Sequence, residues 1–305
     1  MELTEIAKSK INLSLNLSGK KNKDFHDLIS FICFGSFSDQ LKLKPSKSFS
    51  YKINSSIKDI VLKDDLVLQV IHKIKKIYNL GELPKIDLVL EKNIPLGSGL
   101  GGGSADAAAA IRLMNNFLEL GMSQDQMCSF GMDLGTDIPA CIISKPLIAY
   151  GAGEMITRVD FVKKYQMLIV YPNIEISTKE VFNLVKPIKN KNLNLNKIKK
   201  SIELFSLDNN NSFLNSLSND LQGYAIQNYP VLKNIIDVLN LNKSFFSRMT
   251  GSGSACFGFF DDKFIDEAME NIDKSYPHWV VEKTILNDLL SLIHISEPTR
   301  RYAIS

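Results

Sequence analysis

The residues best suited to chemistry lie in one stretch, Pro95 to Ala110, which reads PLGSGLGGGSADAAAA. Gly97, Gly99, Gly101, Gly102 and Gly103 let the main chain turn with positive φ and let another molecule approach it closely. Ahead of them, Lys85 to Glu91 alternates apolar and polar side chains at the period of a strand. Behind them, Ser104 to Leu120 is Ala-rich, with Ile111, Met114 and Leu118 on one helical stripe. The pattern predicts strand, glycine turn and helix, with Ser104 near the N-cap and Gly121 near the C′ position. Free amides at a helix start, with the helix dipole behind them, favour an anion such as a phosphate. A flexible Gly/Ser linker is the plain alternative, but linkers are seldom fused to a strand on one side and a helix on the other.

Two phosphate-loop patterns can be tested against this stretch. The Walker pattern needs Lys and then Ser or Thr after its second glycine, and Gly103 stands there instead. The dinucleotide pattern G-x-G-x-x-G does match at Gly97, Gly99 and Gly102, which keeps a nicotinamide-dependent oxidoreductase as a competing reading. That reading asks for an acid about twenty positions on, and Glu119 is available by count, although it falls on the helix rather than at a strand end. A non-catalytic nucleotide-binding module is a third reading.

Other segments must hold this turn in place. Thr4 to Leu17 alternates through Ile11, Leu13, Leu15 and Leu17 and predicts a strand. By that alternation alone Lys10 lies on a solvated strand face, the usual fate of a lysine. Gly19 to Asp27 is a polar loop holding Phe25 and His26, and Leu28 to Phe37 is a second strand. Asp39 to Leu43 and Phe49 to Ile53 suggest a hairpin around Pro45. A helix is expected over Asp65 to Tyr78, with Leu66, Val70, Ile74 and Ile77 inside and His72 outside. Ser123, with Gln126 as its capping-box partner, opens a helix through Met132. Asp137 lies between Gly135 and Pro139, where an Asx turn and a functional carboxylate are equally good accounts.

Further on, Ile148 to Ile156 turns at Gly151, Tyr165 to Tyr171 is a buried-type strand, and Ser177 to Val185 opens a helix with Thr178 and Phe182 one turn apart. Lys186 to Asn219 is Lys- and Asn-rich and reads as the least ordered part. Helices are expected over Pro230 to Leu241 and Asp262 to Tyr276, and strands over Cys256 to Phe260 and His278 to Lys283. Arg248 to Ala255 is a second glycine-rich turn, and His278 and Trp279 read as packing residues. Ser291 to Ser305 continues no pattern, resembles adapter read-through and is expected to be a non-native tail, with the native end truncated ahead of it.

The chain has 305 residues, 45% hydrophobic and 23% charged, with a formal charge of +3. This is ordinary soluble-protein composition and gives no argument for nucleic acid as a partner. Cys33, Cys128, Cys141 and Cys256 form no C-x-x-C pair, which suits a reduced, cytoplasmic protein. No signal-peptide core and no run of about eighteen apolar residues is present, so no membrane partner is expected.

Lys8 to Leu13 (KSKINL), Pro95 to Ser104 (PLGSGLGGGS), Gly135 to Pro139 (GTDIP) and Thr250 to Ser254 (TGSGS) together resemble the motifs of the GHMP kinase superfamily. Within it the match is to the kinases that act on 4-diphosphocytidyl-2-C-methyl-D-erythritol. The resemblance spans about residues 1 to 286. The first motif departs from the family's P-A-K-I-N-L at Lys8 and Ser9 and keeps Lys10 and Asn12. It implies a two-domain α/β (α+β) fold: a ribosomal-protein-S5-like N-terminal domain over 1–155 and a ferredoxin-like C-terminal domain over 156–290. It implies transfer of the γ-phosphate of ATP, with Mg²⁺, to the 2-hydroxyl of the methylerythritol moiety of a cytidyl diphosphate substrate, in a monomer or homodimer. A sister GHMP kinase of the mevalonate-pathway or homoserine type is the nearest alternative.

By that resemblance, Pro95, Gly97, Ser98, Gly99, Leu100, Gly101, Gly102, Gly103 and Ser104 cradle the ATP phosphates, and Lys92 is a nucleotide-side lysine. Asp137 accepts the substrate hydroxyl proton, and Lys10 stands beside it and stabilises the transferring phosphoryl group, which overrules the surface reading of Lys10. Asn12, Gly251 and Thr178 also face the substrate. Phe25 and Phe182 sandwich the cytosine while His26 bonds its edge. Many relatives carry Tyr where Phe25 stands, and Asn where Asp65 stands beside the adenine.

Overall fold

A computed structural model describes residues 2–22, 25–55, 65–186, 194–207 and 211–288. Its spine is a long antiparallel ribbon of β1 (Leu3–Asn22) and β2 (Phe25–Pro45). The stretch expected to be a polar loop therefore continues both strands, with Asn22 opposite Phe25. The suggested hairpin around Pro45 does not form. Asp39 to Leu43 is the end of β2, and β3 (Ser50–Ser55) pairs in parallel with β4 (Ile86–Lys92). Parallel neighbours need a crossover, and α1 (Leu66–Ile77) supplies it. The Asp65 carboxylate caps α1 by accepting from the Val67 and Leu68 amides at 2.8 and 3.1 Å. The buried stripe is Val67, Val70, Ile71 and Ile74, so Ile77 is turned out to solvent, as is His72.

The glycine-turn helix, α2 (Gly102–Phe117), starts two residues before the expected Ser104 cap. Gly101, in the left-handed region at φ 68°, is its N-cap, so Ser104 is the third helical residue. Ala105 and Ala107 to Ala110 are all buried; such short side chains let a helix lie close on the sheet formed by β1 and β2. At the far end Glu119 takes φ 50°, ahead of Gly121. The capping box at Ser123 and Gln126 opens α3 (Gln124–Met132) as predicted. Then come α4 (Ile138–Ile143), β5 (Leu147–Gly151), which pairs β2, and β6 (Met155–Arg158), which pairs β5.

The rest of the described chain builds a second antiparallel group around β7 (Tyr165–Tyr171). After α5 (Thr178–Asn183), the Lys- and Asn-rich stretch forms α6 (Leu195–Leu207) and α7 (Ser212–Ser216). Its described part is ordered because Ile202, Phe205 and Leu214 supply a buried face, with Phe205 stacked on Phe161 and tilted against Phe213; residues 187–193 and 208–210 of the stretch lie outside the described residues. Next are α8 (Gln222–Asn228), α9 (Val231–Leu241), β8 (Phe246–Met249), β9 (Cys256–Phe260), α10 (Asp262–Ser275) and β10 (Val280–Leu286). The strand order β10-β7-β9-β8 is antiparallel, and β10 meets β2 at Leu286 and Gly35. Trp279 is buried and stacks on Tyr276 at 3.9 Å, while His278 is exposed. No described helix is long and apolar enough to cross a membrane. The expected tail, 291–305, lies outside the described residues.

Candidate active site

The glycine turn leaves the start of α2 open. Gly97, Gly99 and Gly101 all have positive φ, and Gly101 caps the helix with no side chain over its first amides. An N-cap glycine leaves the orphan N–H groups of Gly102, Gly103 and Ser104 without a side-chain acceptor, the condition for receiving an anion. Ser98 braces the turn by donating its hydroxyl to the Pro95 carbonyl at 2.7 Å. The Leu100 carbonyl accepts from the Lys10 amide at 2.8 Å, which ties the turn to β1.

Lys10 and Asp137 converge beside this turn. The Lys10 ammonium lies 3.2 Å from Asp137 Oδ2, and its Cε is 3.0 Å from where a Cβ on Gly101 would stand. The lysine side chain is 6% exposed and the aspartate 46%, so the pair has one covered member and one open to solvent. Strict alternation placed Lys10 on an outer face, but β1 slips register between Lys8 and Lys10 and again between Asn12 and Ser14. Such bulges re-aim side chains near active sites. The face that alternation marked as solvated is also covered, by the glycine turn and by Thr250. Asn12 is oriented twice over: its Oδ1 accepts from Lys10 Nζ at 3.0 Å, and its Nδ2 donates to Ser30 Oγ at 2.7 Å. Asp137 does not make an Asx turn. It precedes α4 without a side-chain cap bond, with Pro139 in the first turn. Arg112 of α2 holds α4 near β1 by donating to the Cys141 and Ile6 carbonyls at 3.1 and 2.9 Å.

The second glycine turn closes on the first. A Cβ on Gly99 would meet the carbonyl oxygens of Gly253 and Thr250 at 2.7 and 2.8 Å, so only glycine fits between these main chains. The Ala255 amide donates to the Ser98 carbonyl at 2.9 Å, and the Asn12 amide donates to Thr250 Oγ1 at 2.9 Å. Gly251, at φ 56°, sits against Gly99 and Asn12. Asn219 holds that turn by donating to the Met249 and Gly251 carbonyls, a role with no signature in the sequence. Thr178 Oγ1 is 2.8 Å from Ser252 Oγ, and Phe182 is half-buried one turn later on α5. Phe25 and His26 begin β2, opposite Asn22 and Lys21; their side chains lie outside what is described.

Lys92 is placed differently from its neighbours in the motif. Its side chain has no exposure, and its ammonium is bound by Asp39 Oδ2 and, at 2.8 Å, by Asp106 Oδ2. It lies under the turn, 2.9 Å from where a Cβ on Gly102 would stand. Neither aspartate was singled out by sequence reasoning; Asp106, two residues after Ser104, was visible in the motif but carries no recognisable period. Glu119 lies beyond the C-terminus of a 16-residue helix, about 24 Å from the turn at 1.5 Å per residue, too far for a ribose contact there.

Comparison with known proteins gives the family and the fold. Residues 65–145 match the family described as GHMP kinases N terminal domain, and residues 196–278 match GHMP kinases C terminal. A 4-diphosphocytidyl-2-C-methyl-D-erythritol kinase of Mesorhizobium japonicum is 32% identical over 281 residues, covering 91% of this chain and 94% of its own. One from Chelativorans is 29% identical over 286 residues, with 93% and 96% covered. A crystal structure of 4-(cytidine 5′-diphospho)-2C-methyl-D-erythritol kinase superposes with a TM-score of 0.74 at 22% identity, over 93% of this chain and 99% of that one. A homoserine kinase from Cytophaga hutchinsonii shares the fold at a TM-score of 0.64 and 16% identity, over 93% and 94%.

Proposed function

We propose a reaction for this chain from one premise: it belongs to the GHMP kinase family and, within it, to the 4-diphosphocytidyl-2-C-methyl-D-erythritol kinases. It is an ATP-dependent phosphotransferase with an alcohol acceptor. The acceptor is the 2-hydroxyl of 4-diphosphocytidyl-2-C-methyl-D-erythritol, in isoprenoid precursor synthesis in the cytoplasm. The observation that carries this reading is the Lys10–Asp137 pair, 3.2 Å apart at the open start of α2.

The amides of Gly102, Gly103 and Ser104 hold the triphosphate at the positive end of α2. Asp137, half-exposed and already oriented, accepts the proton of the attacking hydroxyl. A loose phosphoryl-transfer transition state needs little early proton removal, so a weak base suffices. Lys10 is that carboxylate's counter-ion and places a second positive charge where the transferring group becomes more negative. Asn12 fixes the direction of the ammonium. Mg²⁺, when bound, would neutralise charge on the triphosphate; no group of three or more His, Cys, Asp or Glu among the described residues could hold it, so phosphate oxygens and water would supply most of its ligands. Thr178, Gly251 and Phe182 serve the cytidyl end together with Phe25 and His26. We place the ATP-binding unit at 1–155 and the substrate unit at 156–290. In support, the core cluster that includes α1 to α4 draws its buried residues from Ala7 to Ala149.

The test is purified protein with ATP and a panel of alcohols: the cytidyl compound, mevalonate and homoserine. ATP consumption with the cytidyl compound alone is expected. Consumption only with mevalonate or homoserine would reassign the chain to a sister kinase.

A further inference from the structure

The buried cluster of Lys92, Asp39 and Asp106 has no role in the chemistry above, yet it touches both ends of the phosphate turn. At the entry, Asp39 Oδ1 accepts from the Asn93 and Ile94 amides at 2.6 and 2.7 Å. Asp39 Oδ2 binds Lys92. At the exit, Lys92 bonds Asp106 on α2 at 2.8 Å and lies directly beneath Gly102, the first helical residue. One ring of charges therefore sets where the turn begins relative to where its helix begins. Two of the three ammonium donors go to carboxylates and the Lys92 side chain has no exposure, so it presents no surface to a nucleotide.

We propose that Lys92, gripped by Asp39 and Asp106, is a positioning residue that sets the amides of the glycine turn for the triphosphate without itself contacting ATP. This rests on the kinase reading. The charge balance agrees with it. Two ionised aspartates and one ammonium would leave a net negative charge under a site for a polyanion. Burial pushes the Asp106 carboxyl well above its ordinary range, only partly offset by Lys92, and Asp106 Oδ1 has no hydrogen-bond partner in the described protein. A proton on Asp106 makes the cluster neutral.

The experiment is calorimetric titration with a non-hydrolysable ATP analogue and, separately, with cytidine 5′-diphosphate as a probe of the substrate end. Lys92→Met and Asp39→Asn are each expected to weaken the analogue by about tenfold or more, the worth of one lost hydrogen bond from a main-chain amide to a charged phosphate. Cytidine diphosphate affinity should stay near wild type. Asp106→Asn, which keeps the shape of a protonated carboxyl and an acceptor for Lys92, should bind both ligands like wild type. If Lys92→Met fails to fold, Lys92→Met/Asp106→Asn removes one buried carboxylate and gives the same reading. Unchanged analogue affinity, or equal loss of both ligands, overturns the proposal. So does an effect of Lys92→Met that Asp39→Asn lacks, since that would mean direct contact. A wild-type chain that binds no ATP analogue would instead overturn the kinase reading.

Discussion

Two lysines flank the same glycine turn, and each is paired with aspartate. Above the turn, Lys10 faces Asp137, whose side chain is 46% exposed. Below it, Lys92 faces Asp39 and Asp106, which are 0% and 3% exposed. Residue type is the same and surroundings differ. A buried ammonium with an open carboxylate can meet a substrate and exchange protons with it. A buried ammonium with two buried carboxylates holds structure, because neither it nor its partners has surface open to a substrate. What separates chemistry from scaffold here is the exposure of the partner rather than of the lysine.

That contrast can be broken by exchange of single groups. The largest effect on turnover is expected from Asp137→Asn: kcat lower by about 10²–10⁴-fold, the usual worth of a general base, with ATP affinity kept. Steady-state kinetics with nucleotide titration would show it, and unchanged turnover would remove Asp137 from the reaction. Lys10→Met should lower kcat by about 10²–10³-fold, the scale of one lost electrostatic contact. Its melting temperature should stay close to wild type, because its partner can turn to water. Lys92→Met should instead lose about 3–5 kcal/mol of stability, because it strands the buried Asp39 carboxylate. Denaturant melts of the two variants side by side decide this, and equal losses would erase the distinction between the two faces.

Phe182→Ala tests the cytidyl end. The KM for the cytidyl substrate should rise by the worth of a stacked base, about 1–3 kcal/mol, with the KM for ATP unmoved. A change confined to ATP would reverse the two pockets. The smallest effect concerns Asp106. Its folded-state value is raised, so the stability it contributes is full below its ordinary value of 3.8 and is lost as pH rises through the raised one. Asp106→Asn has no such proton. The stability of wild type relative to this variant should therefore fall with rising pH, by at most about 1.4 kcal/mol per pH unit. Thermal melts across pH check the sign, and a difference that grows with pH contradicts it.

The turn, its strand and its helix were legible in the sequence because glycine, alternation and an alanine run act locally. The α2 cap was missed by three residues because it is Gly101, not Ser104: a left-handed glycine can end a turn and start a helix without a capping side chain. Lys10 was misread by alternation and recovered only by resemblance, since two register slips in β1 and a distant turn cover its face. Asp39, Asp106 and Asn219 left no signal because their partners lie 53, 14 and 30–32 positions away and follow no period. The order in α6 was hidden for a related reason: the stretch from Lys186 to Asn219 is rich in lysine and asparagine, while three buried apolar side chains, Ile202, Phe205 and Leu214, decide the packing.

The most direct test is a crystal structure with a non-hydrolysable ATP analogue and the cytidyl substrate both bound. It should place the terminal phosphate against the Gly102–Ser104 amides, within hydrogen-bonding distance of Lys10 Nζ, with the acceptor hydroxyl on Asp137. A triphosphate bound away from that helix start, or an acceptor hydroxyl out of reach of Asp137, would contradict it.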